Sequence, residues 1–319
     1  MKPVHVIVGG TYFLEPRVKF FENPVFFQNA DVVTIDRVDW EQVYKGKSVA
    51  RKADIGFIFG IKQWTRKMRK KRLTPKEIVG HICAFIEKTF GSKMPIGFLN
   101  DLEIRSGSSL TGRLHKALFK RFNCQFILLR EYLEGKNYDG RIYPFAISSV
   151  DRLRLAQNPV EKSIDLYFRG DNSSDDRKEL IRAANRIDGI HKKLKVYKGG
   201  ERSEEKIPEE QFFKEMADSK ICLNVMGNGY SCYRYQEIPS VGSIVATKNY
   251  PLVVENDYID MHSCIKFEHG SELKDKVNKV LSSKQHTRDM TEECKSRFLK
   301  YHTTEKRFAD FISYLERLA

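Results

Sequence analysis

Short apolar runs alternate with amphipathic stretches from one end of this 319-residue chain to the other. In the first half Val4-His5-Val6-Ile7-Val8 leads into Gly9-Gly10. The runs at residues 31–35, 55–59, 96–99 and 125–129 likewise have the length and composition of buried strands. Between them, residues 75–90 place Ile78, Ile82, Phe85, Ile86 and Phe90 at steps of three and four, which predicts a helix with one buried face. Thr74 is placed to cap it and Pro75 suits its first turn. A second helix is predicted near 108–122. The later half repeats the alternation. Strands are predicted at 165–168, 194–197, 221–225 and 243–246, with helices near 176–187, 208–218 and 233–241 and helical pattern from 286 to 318. Strands alternating with helices predict parallel sheets covered on both faces. Residues 146–163, with Asn158-Pro159 inside, read as a linker, which divides the chain into domains at 1–150 and 151–319. Two α/β domains of this kind are expected to face each other across a cleft at the carboxyl ends of their strands, where open α/β sheets bind ligands.

Composition narrows the setting. No stretch approaches 18 uncharged apolar residues, and the N-terminus lacks the apolar core and small-residue cleavage site of a secretory signal. The expectation is a cytoplasmic protein, at most peripheral to a membrane. The six cysteines include no CxxC pair and sit among apolar neighbours, as in Ile82-Cys83-Ala84, so they read as core residues in a reducing compartment. The net charge of +14 is segregated. Residues 1–150 hold 26 Lys+Arg against 14 Asp+Glu, whereas 151–319 hold 30 against 28. Solubility alone does not call for such segregation. The first half is expected to face something anionic: a phospholipid surface, a phosphorylated glycan or nucleic acid.

The most informative stretch is Asp218 to Ala246, DSKICLNVMGNGYSCYRYQEIPSVGSIVA. A buried strand delivers Gly227-Asn228-Gly229-Tyr230, and a helix is predicted to start near Ser231. Arg234 and Glu237 then share one helical face. Glycines let backbone N–H groups approach a phosphate, and a helix N-terminus adds a favourable dipole. Arg234 offers a planar fork to diphosphate oxygens, and Glu237 can accept from ribose hydroxyls. A surface ion pair three residues apart would have the same local spelling, but not the strand, glycine turn and strand in register around it.

This register resembles the C-terminal domain of GT-B glycosyltransferases, in particular the exostosin-like and spore-maturation-protein-like groups. The resemblance rests on Ser219-Lys220-Ile221-Cys222-Leu223, the Gly227–Gly229 turn, Ser231, Arg234, Glu237 and Gly242-Ser243-Ile244-Val245. It extends upstream through Leu166-Tyr167-Phe168-Arg169-Gly170 and Arg177, and downstream through Glu272-Leu273 and Arg307-Phe308, covering residues 163–312. It implies two Rossmann-like domains and sugar transfer from a nucleotide-sugar. By resemblance, the donor would be held by Arg177, Gly227, Gly229, Tyr230, Ser231, Arg234 and Glu237. Ile238-Pro239 departs from the family, because proline shortens or kinks the helix there.

Other motifs set limits. Neither G-x-G-x-x-G nor G-x-x-x-x-G-K-[ST] occurs, so no redox dinucleotide and no P-loop nucleotidase is indicated. Without a D-x-D, no metal-bridged donor is expected, and no cofactor besides the donor substrate. Asp101, followed by Glu103 after the strand at 96–99, is the candidate base for deprotonating an acceptor hydroxyl; an aspartate there also serves as a turn cap. His5 reads as buried structure. Residues 62–72 hold seven basic residues and no acid, with Arg66, Lys67, Arg69 and Lys70 the candidates for an anionic surface and a solvated loop the alternative. Arg113, Lys116 and Lys120 add a basic face opposite Leu110, Leu114 and Leu118, a pattern compatible with a membrane interface. The acceptor is expected to be a surface glycan or a lipid-linked molecule. Modified DNA bases are the alternative acceptor, and a non-catalytic protein binding nucleotide-sugar or nucleic acid is the alternative class.

Overall fold

The computed structural model describes residues 4–9, 33–45, 47–49, 52–59, 61–100, 104–171, 174–197, 206–227 and 229–316. The chain divides into two compact units. Unit 1 takes residues 1–146 with 252–255 and 308–319; unit 2 takes 147–251 and 256–307.

In unit 1, β1 (Val4–Gly9), β2 (Val33–Val38), β3 (Ile55–Phe59), β4 (Ile96–Asn100), β5 (Cys124–Leu129) and β6 (Ile142–Pro144) form one parallel sheet in the order β2-β1-β3-β4-β5-β6. The helices are α1 (Trp40–Tyr44), α2 (Ile61–Lys70), α3 (Pro75–Phe90) and α4 (Ile104–Arg121). Because β3, β4 and β5 are neighbours in sequence order, right-handed crossovers lay the intervening helices on one face. Ile58, Phe98 and Ile127 point into that face and share a buried cluster with Trp64, Phe85 and Leu114. α3 starts as its sequence dictates: Thr74 and Glu77 form a reciprocal capping box and Pro75 occupies the first turn, a cap that contributes about 1 kcal/mol.

The basic run is a helix and not a loop. Ile61, Trp64, Thr65 and Met68 fall at steps of three and four and are buried, and the Trp64 Nε1–H donates to the Val38 carbonyl at 2.9 Å. Arg72, in the left-handed region at φ 63°, ends it. In α4, Leu110, Leu114 and Leu118 are fully buried in the same cluster. The apolar face that suggested a membrane interface is therefore part of the protein's own core.

In unit 2, β7 (Ile164–Asp171), β8 (Lys192–Tyr197), β9 (Ser219–Asn224), β10 (Ile244–Lys248) and β11 (Ile265–Phe267) form a second parallel sheet in the order β11-β10-β9-β7-β8. Its helices are α5 (Asp175–Asn185), α6 (Glu209–Ala217), α7 (Arg234–Ser240), α8 (Gly270–Leu281) and α9 (Lys284–Arg297), the last followed by a π-helical turn at Phe298–His302. The chain builds outward from β7 to β8, then crosses back and builds the other way through β9. The strand order thus reverses between β7 and β9, and such a switch point opens a crevice at the carboxyl ends of the two strands.

α10 (Thr304–Glu316) leaves unit 2 and returns to unit 1. Phe311 meets Phe57 edge-on at 4.6 Å between ring centroids, and Tyr314 lies 5.5 Å from Phe126 and 5.3 Å from Tyr143. These rings cover the sheet face opposite α2–α4. The segment 252–255 also joins unit 1, through the Val253 N–H to the Tyr132 carbonyl at 2.9 Å. The hydropathy pattern, which carries the second domain on to residue 319, does not show either return.

Candidate functional site

The site is built at the switch point of unit 2. β7 ends in Arg169-Gly170-Asp171, and β9 runs through Val225-Met226 into the glycine turn, of which residue 228 lies outside the described residues. That turn is held from three sides. The Ser174 hydroxyl donates to the Met226 carbonyl at 2.9 Å, Arg177 Nη2 donates to the Val225 carbonyl at 3.3 Å, and the Met226 N–H donates to the Tyr250 hydroxyl at 3.1 Å. Gly229 and Ser231 are buried, while Gly227 and Tyr230 are partly exposed; the Tyr230 ring lies 5.3 Å from that of Tyr250.

α7 is only seven residues long and its N-cap, Tyr233, makes no side-chain cap bond. So short a helix adds little dipole, which removes one of the two anion-binding features expected of the helix start. Its roll is fixed instead by its inner face. Gln236 accepts from the Tyr258 hydroxyl at 2.8 Å, Tyr235 donates to Asp257, and Ile238 and Pro239 are buried. Arg234 and Glu237 are left on the half-buried outer face, one turn apart. Pro239 stands in the last turn of the helix. The helix closes one residue later: Gly242 at φ 74° lets its N–H donate to the Pro239 carbonyl and the Ser243 N–H to the Ile238 carbonyl. This is the paired-bond C-terminus that favours glycine.

Arg234 reaches across to β7. Its guanidinium carbon lies 5.0 Å from the centroid of Phe168 and 6.0 Å from that of Phe212, and Nη2 donates to the Arg169 carbonyl at 2.7 Å. Gly170 makes room for it, since a Cβ there would stand 2.8 Å from Nη2. The Arg234 Nε is buried and has no hydrogen-bond partner among the described residues. Arg177 plays a different part. It is buried and ion-paired with Asp171, and Nη1 also donates to the Asp171 carbonyl at 3.0 Å. Burial first, and then the like charge of Arg234, push its guanidinium below the ordinary value. Two cations thus share the carboxyl ends of β7 and β9, one tied to Asp171 and the Val225 carbonyl, the other to the Arg169 carbonyl. A side chain that ties Asp171 to the turn, as Arg177 does, could not have been told from a ligand contact by its place in the sequence.

Residues 177–313 match the family model described as glycosyl transferase-like. The fold is that of GT-B glycosyltransferases. Solved structures agree over nearly the whole length of the chain. HepE of Anabaena in complex with UDP-glucose aligns over 99% of this chain and 100% of its own at 10% identity, with a TM-score of 0.62. Sucrose-phosphate synthase from Thermosynechococcus elongatus aligns over 100% and 99% at 9% identity, TM-score 0.62. An α-glucosyltransferase in complex with UDP and a 13-mer DNA aligns over 99% of both chains at 11% identity, TM-score 0.53. No curated protein sequence matches the chain. The exostosin-like and spore-maturation-protein-like subgroups rest on the residue register alone.

The remaining sequence candidates fall as follows. Asp101 and Glu103 lie outside the described residues, as do Gly10 and the two residues after it. Asn100, just before Asp101, is buried and bonded to His115 Nε2 at 2.8 Å. Arg66, Lys67 and Lys70 are exposed on α2 and Arg69 is half-buried. Glu255-Asn256-Asp257, the nearest approach to a D-x-D, is committed to structure: Asp257 takes the Tyr235 hydroxyl and Lys266. No helix among the described residues is long and apolar enough to cross a membrane.

Proposed function

We propose that this glycosyltransferase takes its sugar from a uridine-diphosphate sugar held at the β7/β9 crevice and delivers it to a hydroxyl of an acceptor that carries negative charge. The observation behind the donor assignment is the Arg234 guanidinium, set between Phe168 and the Arg169 carbonyl, with an Nε that has no partner among the described residues. Arg234 meets the diphosphate and balances the charge that develops as the sugar–phosphate bond breaks. The Gly227–Gly229 turn brings backbone N–H groups to the same oxygens, and Glu237 accepts from the ribose hydroxyls. Arg177 acts through Asp171 and Val225, as a positioning residue for the turn. Asp101, next in sequence after β4, is assigned the base that takes the acceptor proton. With charge balanced by side chain and backbone, transfer proceeds without a bridging metal. Among acceptors, a phosphorylated glycan, a lipid-linked glycan and a DNA base share the anionic character that unit 1 calls for. The UDP-linked structures with the same fold make uridine the first base to test.

Isothermal titration with UDP tests the donor site. Arg234→Ala removes a charge-assisted contact and should cost about 1.5–3 kcal/mol, a loss of one to two decades in Kd, with the fold intact. Glu237→Ala should weaken UDP but leave inorganic diphosphate unaffected. Unchanged UDP affinity in both variants refutes the assignment.

A further inference from the structure

The helix layer of unit 1 has an outer face whose charge no function so far absorbs. Residues 61–122 contain fifteen Lys+Arg against four Asp+Glu. Of the acids in described segments, Glu77 caps α3 and Glu87 is paired with Arg121 at 3.2 Å. Neither α2 nor α4 contains any acid. On α2, Arg66, Lys67 and Lys70 are exposed; on α4, Arg113, Lys116 and Lys120 are exposed. None of the six has an ion-pair partner among the described residues. α3 packs against both helices, so it separates the two basic rows. At two helix–helix spacings the rows stand roughly 16–20 Å apart. Along α4 the row runs about 10 Å, seven residues at 1.5 Å each.

We infer that this face docks on duplex nucleic acid through the phosphates of its two strands. Two facts choose the partner. A single strand offers one row of phosphates and binds through bases stacked on exposed aromatics. Here the ring of the basic run, Trp64, is fully buried, and no large hydrophobic is exposed on α2–α4 among the described residues. A bilayer is held by apolar side chains inserted beside the charges, and α2 and α4 direct theirs into the core. What remains is two rows of long cationic side chains, one on α2 and one on α4, with no exposed aromatic among the described residues of these helices to stack on a base. The contact is therefore to backbone and independent of sequence. It rests on the reading of unit 1 as the acceptor side, and gives the acceptor's negative charge a source.

The test is fluorescence anisotropy of a labelled 20-base-pair duplex of mixed sequence, titrated from 50 to 200 mM salt. Six phosphate contacts predict a log–log slope of about −5, at about 0.9 per contact. Arg66→Ser/Lys67→Ser/Lys70→Ser should flatten the slope to about −3, with the melting temperature unchanged because all three are exposed. Lys274→Ser/Lys279→Ser/Lys284→Ser removes the same charge from the exposed surface of unit 2 and should leave the slope near −5. Equal loss in the two triple variants would show a general charge effect and overturn the inference. Equal or tighter binding of the single strand would overturn it too. So would binding to phosphatidylserine vesicles in the absence of duplex binding. UDP titrations on the same samples keep the two readings apart. Duplex binding without UDP binding refutes only the donor site, and UDP binding without duplex binding refutes only the docking face.

Discussion

Gly170→Ala is the sharpest probe of how the proposed donor site is put together. Gly170 lies on β7 with no positive φ, so alanine meets no backbone obstacle. Its methyl would stand 2.8 Å from Arg234 Nη2 and 3.0 Å from the Phe168 ring. Contacts of that length do not persist, and the end of a long side chain gives way more easily than a buried ring. The guanidinium should shift by several tenths of an ångström, lose the 2.7 Å bond to the Arg169 carbonyl and leave its place for the diphosphate. A bond made by a charged group contributes about 1.5–3 kcal/mol, so UDP affinity should fall roughly 10- to 100-fold. Global stability should drop by no more than about 1 kcal/mol. The decisive measurement is a double-mutant cycle by calorimetry. If Gly170 matters through Arg234, then Gly170→Ala costs affinity in the wild-type background and almost nothing in the Arg234→Ala background. Additive losses would mean that the methyl disturbs something else, and the account of Gly170 as the space for Arg234 would fail.

Transfer should survive excess EDTA at its full rate, measured as UDP released in the presence of acceptor; complete loss restored by Mn²⁺ or Mg²⁺ would place a metal in the mechanism. Tyr250→Phe removes the acceptor of the Met226 N–H and should raise the Kd for UDP about 3- to 10-fold while leaving urea unfolding within about 1.5 kcal/mol of wild type, a net hydrogen bond being worth about that much. His302 is buried, with Nε2–H donating to the Asn256 carbonyl and Nδ1 accepting from Arg307, and burial with the nearby Arg307 and Arg297 lowers it to about 3. Between the unfolded value near 6.5 and that pH, the unfolded chain binds a proton that the folded one refuses, so stability falls as pH falls across this window. Relative to wild type, His302→Gln should flatten the decline in urea-unfolding free energy between pH 7 and 4 by a few kcal/mol, and an unchanged slope would show that His302 titrates normally.

Much of the β7/β9 crevice was legible because it is local. Ile221 to Val225 is an apolar run too short for a helix, the glycines after it mark a turn, and Arg234 and Glu237 are spaced for one helical face. What the sequence could not show depends on which strands become neighbours. Gly170 and Arg234 are 64 positions apart, and their meeting follows from β7 pairing with β9 across the crossover through β8. Arg177 spelled a ligand contact, yet Asp171 and the Val225 carbonyl claim its guanidinium. The helix of the basic run went unseen for a different reason. Seven charges in eleven residues masked the buried spacing of Ile61, Trp64, Thr65 and Met68, a helical period that was present in the sequence. The dipole expected at the start of α7 was overestimated because the chain needs only seven residues to reach Pro239 and the Gly242 turn.

The return of α10 to the first sheet sets an order of events during synthesis. Phe57, Phe126 and Tyr143 have been made by residue 143, but the rings that shield them, Phe311 and Tyr314, come some 170 residues later. At ordinary rates of translation that interval is on the order of 10 s. Through it, the nascent first unit lacks the α10 rings that pack on Phe57, Phe126 and Tyr143, while the strands and helices of unit 2, including the proposed donor crevice, emerge with only residues 252–255 between them belonging to unit 1. The half of the chain made first is therefore finished last. A ribosome that stops at residue 307 releases a protein that contains the proposed donor crevice but lacks the rings that pack on Phe57, Phe126 and Tyr143, a product suited to chaperone capture or aggregation.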